Sequence, residues 1–564
     1  MELLAVIVLA VVVVAIVTAL GQKTGIAAPL VLVAIGLGVA VLPFVPAATI
    51  DPEWILVGVL PPLLYSSAVS LPAIEFRRDF APIAGLSVLL VVISSLILGA
   101  FFAWVIPDLG FALGVALGAI LSPTDAVATT IAARMGIAPR VVTMLRGESM
   151  LNDATALVVL RTAIAAVAGG FSLGETLLAF VWSVLGALII GALVGYLNLR
   201  IRERIRNPAA NTALSFAVPF VAYLPAEELG ASGLVAAVVA GIVTGQGAAR
   251  RFTPEQRMSD ELNWRTIELV LEGGVFLVMG LELKEVVRSN FEEHDGLWHG
   301  IWLALVALLL IVVVRAAYVT VLLWQQGRRA RRSQERFAPY RDRFDQLSSM
   351  PPPENQHPGA ERRMQRFASL FATLDYYRDS ALGWKDGTVI VWAGMRGVVT
   401  LAAAQTLPSD TSHRALLIFV AFMVAVVSLL VQGFTLPGVV RMLRMERQTS
   451  AGPSSEEQRR LDDELRTAAT AALADPGLKR VDGSSFTPGL VERVGRRMSE
   501  PPDDDMTETA KEMLELRLAM IEAMRRRLVD ISSYGTFSTP ALKHALAELD
   551  ADQLSLELRI DDEG

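Results

Sequence analysis

Apolar residues along this chain come in blocks, with charged, Gly and Pro residues gathered between them. Thirteen segments read as bilayer-crossing or bilayer-entering helices: 2–20, 26–46, 53–70, 80–106, 110–134, 141–168, 174–199, 208–224, 230–246, 265–282, 298–325, 387–407 and 414–440. Apolar runs of about 18 residues or more argue for membrane helices rather than helices buried in a soluble core. The first block follows Glu2 with no basic residue ahead of it, so it reads as a membrane helix and not as a secretory leader. Two stretches break the pattern. Residues 326–386 form a basic insertion with Pro351, Pro352 and Pro353 and an amphipathic helix near 361–378; this reads as a solvated loop resting on anionic lipid. Residues 441–564 form a charged tail, with a capping box at Ser454-Ser-Glu-Glu and an amphipathic helix over 506–530. The expected fold is an all-α polytopic membrane protein: a transmembrane domain over 1–440, carrying the 326–386 insertion, and a soluble helical tail over 441–564.

Charge sets the orientation. With the N-terminus outside, the inner loops hold Lys23, Arg77, Arg78, Arg134, Arg140, Arg146, the Arg200–Arg206 cluster, Arg250, Arg251, Arg257 and Arg265, whereas the outer loops hold only Lys284, Arg288 and Arg414. Basic residues favour the cytoplasmic side, so the tail is expected there, beneath the plasma membrane. The 564 residues are 53% hydrophobic and only 19% charged, below the roughly 25% charge of a soluble chain. A net charge of −7 offers no basic surface for nucleic acid. Cys is absent and the five His (294, 299, 357, 413, 544) lie outside the apolar blocks or, for His299, at the very edge of one, which argues against a thiolate or His-ligated metal and against an intramembrane His relay. The tail carries no Gly-rich phosphate loop, so nucleotide hydrolysis is not expected.

The chemistry sits where polar groups interrupt apolar segments. A carboxylate in hydrocarbon costs roughly 2.5 to 3.5 kcal/mol on insertion scales, so such groups mark function. The sixth segment contains Gly147-Glu-Ser-Met-Leu-Asn-Asp153. Asp153 falls about 18 Å from its inner end, near the bilayer middle. Ser149 and Asp153, spaced i,i+4, share a face, so the hydroxyl and carboxylate can converge on one small cation with a carbonyl of Thr124 freed by a helix break. That break is predicted in the fifth segment, Leu121-Ser-Pro-Thr-Asp-Ala-Val127, where Pro123 cannot continue the helix and Asp125 would face the amide end of the following half-helix. The twelfth segment has a matching irregularity, Ala393-Gly-Met-Arg-Gly-Val398; Arg396 and Asp125 both fall about 14 Å from the inner ends. Two interrupted helices at one depth point to an inverted-repeat transporter, with Arg396 balancing carbonyl ends and Asp125 amide ends. Glu148 needs a buried partner, and Arg315, alone in the eleventh segment, is the candidate; the alternative is that Arg315 snorkels to the surface. Glu272 could pair with Arg161 or Arg265, or face the pathway.

Together, Ser122-Pro-Thr-Asp125, Gly147-Glu-Ser-Met-Leu-Asn-Asp153 and Gly394-Met-Arg-Gly397 resemble the monovalent cation/proton antiporters: bacterial sodium/proton antiporters and animal sodium/hydrogen exchangers. The resemblance covers about residues 1–440. It implies a homodimer in which a core domain moves like an elevator against a dimerisation domain. It also implies that Asp153 binds ion or proton with Asn152 beside it, that Ser149 and Thr124 complete a sodium site, that Asp125 and Arg396 balance crossed half-helices, and that Glu148 and Arg315 form a structural pair. Leu60-Pro-Pro-Leu-Leu-Tyr-Ser66 also resembles a family motif, but many members carry Glu at the position of Ser66; Glu272 is a candidate substitute. The expected activity is exchange of Na+, or Li+, for H+ across the plasma membrane in sodium and pH homeostasis, with cation and proton competing for Asp153 and no organic cofactor. Asn rather than Asp at 152 goes, in this family, with electroneutral one-for-one exchange. A potassium/proton antiporter would share every motif; an organic-anion symporter would want more polar clusters and aromatics at the breaks, which are sparse here, and a cation channel would have no need for a titrating site.

Overall fold

The computed structural model describes residues 2–24, 26–43, 51–169, 173–293, 297–348, 358–445, 455–490 apart from 474, 476, 481–482 and 488, and 508–561. Among the described residues the regular structure is helical throughout. The chain runs through α1 (Glu2–Thr24), α2 (Ala28–Ala40), α3 (Leu60–Val69, entered through a wide π turn), α4 (Ala73–Arg78), α5 (Phe80–Ala84), α6 (Leu90–Val105), α7 (Gly110–Ile120), α8 (Val127–Arg134) and α9 (Pro139–Gly169). There follow α10 (Leu173–Arg202), α11 (Pro208–Glu228), α12 (Gly233–Arg251), α13 (Pro254–Leu281), α14 (Leu283–Glu293), α15 (Leu297–Ser348), α16 (Pro358–Asp379), α17 (Trp384–Trp392), α18 (Val398–Gln405) and α19 (Arg414–Met442). The tail contributes α20 (Ser455–Leu473), α21 (Glu508–Tyr534) and α22 (Thr539–Asp561).

Each apolar segment read from the sequence falls on helix. Among the described residues seven helices are individually long and apolar enough to span a bilayer. Three of the others fall short for local reasons. Pro123 and the Gly394/Gly397 pair interrupt two of them, and α13 carries Arg265, Glu268 and Glu272 within its apolar half. Helix starts follow ordinary capping chemistry: the Asn207 side chain accepts from the Ala210 amide at 3.1 Å, and Thr253 and Gln256 form a capping box around Pro254, the first residue of α13. Outward faces are apolar, with Leu9 and Ile16 on α1, Leu178 and Ile189 on α10, and Leu309 and Val313 on α15 all exposed, as a lipid-facing surface requires.

The helices sort into two groups. The first packs α1, α2, α3, α10, α11, α12 and α13 together; the second packs α5 to α9 with α15, α17, α18 and α19. Within the first group α2 and α13 meet at Gly36 and Gly280, where a Cβ on either glycine would overlap the backbone opposite, so close approach requires glycine. α4 packs against α5 and α9 of the second group.

Two features depart from the sequence reading. The 326–386 insertion is not a simple solvated loop: α15 continues unbroken to Ser348, and α16 docks by placing Tyr376 and Tyr377 over the Arg140 guanidinium. Tyr376 donates to Asp79 at 2.8 Å, and Asp79 also takes a forked hydrogen bond from buried Arg140. Burial, with the Asp79 carboxylate beside it, holds the Tyr376 phenol protonated above its ordinary pKa. The tail packs on the membrane helices: Ile74 of α4 joins the apolar core of α20, α21 and α22, and Glu75 accepts from the Thr539 amide at 2.7 Å, capping α22. Arg257 holds Asp550 through Nε at 3.0 Å. Ser454, His294, His357 and the Pro351–Pro353 run lie outside the described residues.

Candidate functional site

Both predicted breaks are complete interruptions rather than kinks. α7 ends at Ile120 and α8 begins at Val127; α17 ends at Trp392 and α18 begins at Val398. The extended links cross, and each satisfies the other. The Asp125 amide donates to the Met395 carbonyl at 2.8 Å, while its carboxylate accepts from the Val127 amide at 2.8 Å and caps α8. In return the Arg396 Nε donates to the Leu121 carbonyl at 3.0 Å, and Arg396 Nη1 donates to the Gly394 carbonyl. Carbonyl ends of two half-helices therefore share one guanidinium, as partial negative charge at those ends demands. Gly397 is extended, with φ −129°, so its conformation suits any residue; it is required because a Cβ there would overlap the Asp125 carboxylate.

Behind the crossing lies a buried ion pair. Arg315 Nη2 donates to Glu148 Oε2 at 2.8 Å, Arg315 Nη1 donates to Glu148 Oε1, and Arg315 Nε donates to the Ile390 carbonyl at 3.0 Å. Both side chains are almost wholly buried, so Arg315 does not snorkel. The Thr124 hydroxyl donates to Glu148 at 3.3 Å and accepts from Asn152 Nδ2, tying the first break to α9. A void of about 10 Å³, with room for about one water, is lined by Glu148, Asn152, Ser94, Ser122, Arg315 and Arg396.

Asp153 faces the other way. It opens onto a cavity of about 200 Å³ at the junction of the two helix groups. One group supplies Asp125, Thr124, Ser149, Asp153 and Gly397; the other supplies Glu268 and Glu272 from α13, with Ser67 and Ser70 from the α3 end. Arg146 is the cation in the lining. Among the described residues Asp153 Oδ1 is buried without a hydrogen-bond partner. A buried carboxylate oxygen left unpaired in a cavity that also holds a hydroxyl and three further carboxylates is suited to hold a cation or a proton.

Most of the predicted set is thereby brought together: Asp153, Ser149, Thr124, Asp125 and Glu272 line one cavity, and Glu148, Arg315 and Arg396 stand behind it. Asn152 does not line the cavity; it belongs to the charged layer behind. The Thr124 side chain also serves that layer. Glu272 does not pair with Arg161, which instead bonds Glu227 at 2.7 Å at the helix end. Ser66 is buried next to Glu268 and outside the cavity lining. Sequence reasoning passed over Glu268, although it lies i,i+4 from Glu272 on one helix face, and over Ser428, whose Oγ accepts from the Arg396 amide at 2.7 Å. A lone Ser in the apolar run Val426-Val-Ser-Leu-Leu430 is the signal that could have flagged it.

The transmembrane sodium/hydrogen exchanger family matches residues 8–442. A sodium/hydrogen exchanger of Mycobacterium tuberculosis, itself uncharacterised, is 27% identical over 96% of this chain and 93% of that protein. A sodium, potassium, lithium and rubidium/proton antiporter of Bacillus pumilus is 32% identical over 47% of this chain and 41% of that protein. The solved sodium proton antiporter MjNhaP1 of Methanocaldococcus jannaschii superposes with TM-score 0.57 at 17% identity, over 79% of this chain and all of that one. The crossed half-helices, the paired charges behind them and the match across the membrane helices give one conclusion: this chain belongs to the sodium/hydrogen exchanger family of multi-pass membrane transporters and is not an enzyme.

Proposed function

We propose that the chain exchanges one Na+, or Li+, for one H+ per cycle, with both competing for Asp153. Cation/proton antiport is the function of the family; ion identity, stoichiometry and motion are the added claims. The observation that carries them is the cavity in which the unpaired Asp153 Oδ1 adjoins Ser149, Thr124 and Asp125 at the junction of two helix groups. A cation takes oxygen ligands from Asp153, Ser149 and the Thr124 backbone, keeping some of its water. A proton on Asp153 removes the charge that holds the cation, so the site carries one or the other. Asn152 leaves a single titrating group in the Asn-Asp pair, and exchange is then electroneutral.

Alternating access follows from the site's position between two separately packed groups. The group containing the crossed breaks slides against the group containing α2, α3 and α13, as an elevator within a homodimer. The Glu148–Arg315 pair, with Asp125 and Arg396 at the crossed breaks, is its rigid frame. The transport domain spans 1–440 and the tail 441–564; the N-terminus lies outside and the tail in the cytoplasm, beneath the plasma membrane, where exchange sets cellular sodium and pH.

Potassium/proton exchange is the second reading. It is favoured by the resemblance to the B. pumilus antiporter, named for four alkali cations, and by a cavity roomy enough for either ion with part of its hydration. The test is a pH-jump assay in proteoliposomes with sodium, lithium and potassium side by side. Sodium- and lithium-driven proton movement with little for potassium supports the first reading; the reverse order overturns it.

A further inference from the structure

A second large cavity, of about 580 Å³, lies between the tail and the membrane helices. Its floor and walls come from the α3 end and α4, the ends of α10 and α12, and the facing sides of α21 and α22. Most of the wall is apolar, with Val69, Leu71, Leu199, Ile242, Leu528 and Leu546 among its residues. Every charged residue lining it is cationic: Arg77, Arg250, Arg251 and Lys543. That lining contrasts with the transport cavity, which holds four carboxylates.

The cations are not consumed by internal pairing. Arg251 bonds Glu203 at 3.0 Å, but among the described residues neither Arg77 nor Arg250 has a carboxylate within salt-bridge distance. Lys543 donates to the Ser70 carbonyl at 3.2 Å. Beside the cavity α10 exposes Leu193, Leu197 and Ile201, so hydrocarbon-facing surface runs up to it, and Tyr196, which lines it, carries Arg200 and Arg251 against its ring. An apolar chamber with a cationic rim at the membrane boundary matches an anionic amphiphile, with acyl chain inside and phosphate at the arginines.

We propose that this cavity binds an anionic phospholipid from the leaflet on the tail side, with the phosphate between Arg77 and Arg250, and that the lipid fastens the tail to the transport domain. Lys543 links the two compartments, because Ser70, whose carbonyl it holds, also lines the transport cavity.

The test uses the full purified chain in detergent, with thermal unfolding and native mass spectrometry as readouts. Phosphatidylglycerol is expected to stabilise the wild-type protein and to remain bound, and phosphatidylcholine to do neither. The double variant R77Q/R250Q is expected to weaken phosphatidylglycerol binding roughly tenfold or more, while R77K/R250K retains it. The control R328Q/R329Q removes exposed arginines of α15 away from the cavity and is expected to change nothing. The proposal is overturned if phosphatidylcholine binds equally, if R328Q/R329Q weakens binding as much as R77Q/R250Q, or if a folded R77Q/R250Q protein binds phosphatidylglycerol like wild type. Stabilisation by inorganic phosphate equal to that by the lipid overturns the acyl-chain assignment.

Discussion

Arg396 holds the carbonyl of Leu121 at 3.0 Å from the opposite broken helix. Asp125 reciprocates by donating its amide to Met395 at 2.8 Å. Neither interruption is satisfied wholly by its own helix, so the two breaks stabilise each other.

Replacing Arg396 tests that mutual dependence. Arg396→Met leaves the Leu121 and Gly394 carbonyls without their donor, and buried acceptors so stranded cost about 1 to 3 kcal/mol each. Thermal unfolding in detergent should show a clear loss of stability together with lost exchange. A variant as stable as wild type would show that water or a neighbouring group can replace the guanidinium.

Asp153→Asn keeps the size of the side chain and removes its charge. Oδ1 has no hydrogen-bond partner among the described residues, so the substitution removes no bond at that oxygen. The expected outcome is a protein that unfolds at the wild-type temperature and fails to move protons in response to a sodium gradient. Robust pH-dependent exchange by this variant would remove Asp153 from the mechanism.

Glu148 and Arg315 are almost wholly buried and bonded at two points. Deleting one partner strands a buried charge, at a cost of about 3 to 5 kcal/mol, whereas removing both recovers much of it. Glu148→Gln and Arg315→Met should each be strongly destabilising, and the double variant clearly less so than their sum. Additive losses in the double-mutant cycle would mean that the two residues act separately.

Gly397→Ala places a methyl group on the Asp125 carboxylate. Its extended backbone imposes no strain, so the damage is steric: Asp125 must leave its cap on α8, at about 0.5 to 2 kcal/mol, and shift within the cavity. Transport should fall by more than that modest loss of stability explains. Gly438→Ala, where a Cβ meets nothing within 4 Å, is the matched control.

Glu272 reaches the cavity from the group opposite Asp153, whereas Ser66 stays outside the lining. Glu272→Gln should raise the sodium KM several-fold, with a smaller effect on kcat, because it removes attraction for a cation without removing the exchanging carboxylate. Ser66→Ala should leave sodium kinetics unchanged. An effect at Ser66 equal to that at Glu272 would restore α3 as a contributor to the ion path.

Much of the site was legible because its residues violate their surroundings. Glu148, Asp153, Arg315 and Arg396 each stand in apolar runs where a charge is costly, and Pro123 cannot continue a helix. Glu268 escaped notice because it follows Arg265 in a stretch that reads as an ordinary polar helix end. The Asp79–Arg140–Tyr376 cluster escaped it because its members are scattered over nearly three hundred residues, each unremarkable alone. The docking of Ile74 and Glu75 on the tail is equally long-range.

The sequence by itself determined the helical segments, the two break points, the costly charges and the likeness to cation/proton antiporters, because all of these are local or periodic properties. Which neighbour each polar group faces was decided by tertiary structure alone. Asn152 and Asp153 are adjacent in the chain, yet about 100° apart around α9. One turns into the charged layer with Arg315 and Arg396, the other into the cavity between the helix groups. Rotation about a helix axis is set by the packing of the helices around it, and the bilayer alone does not specify it.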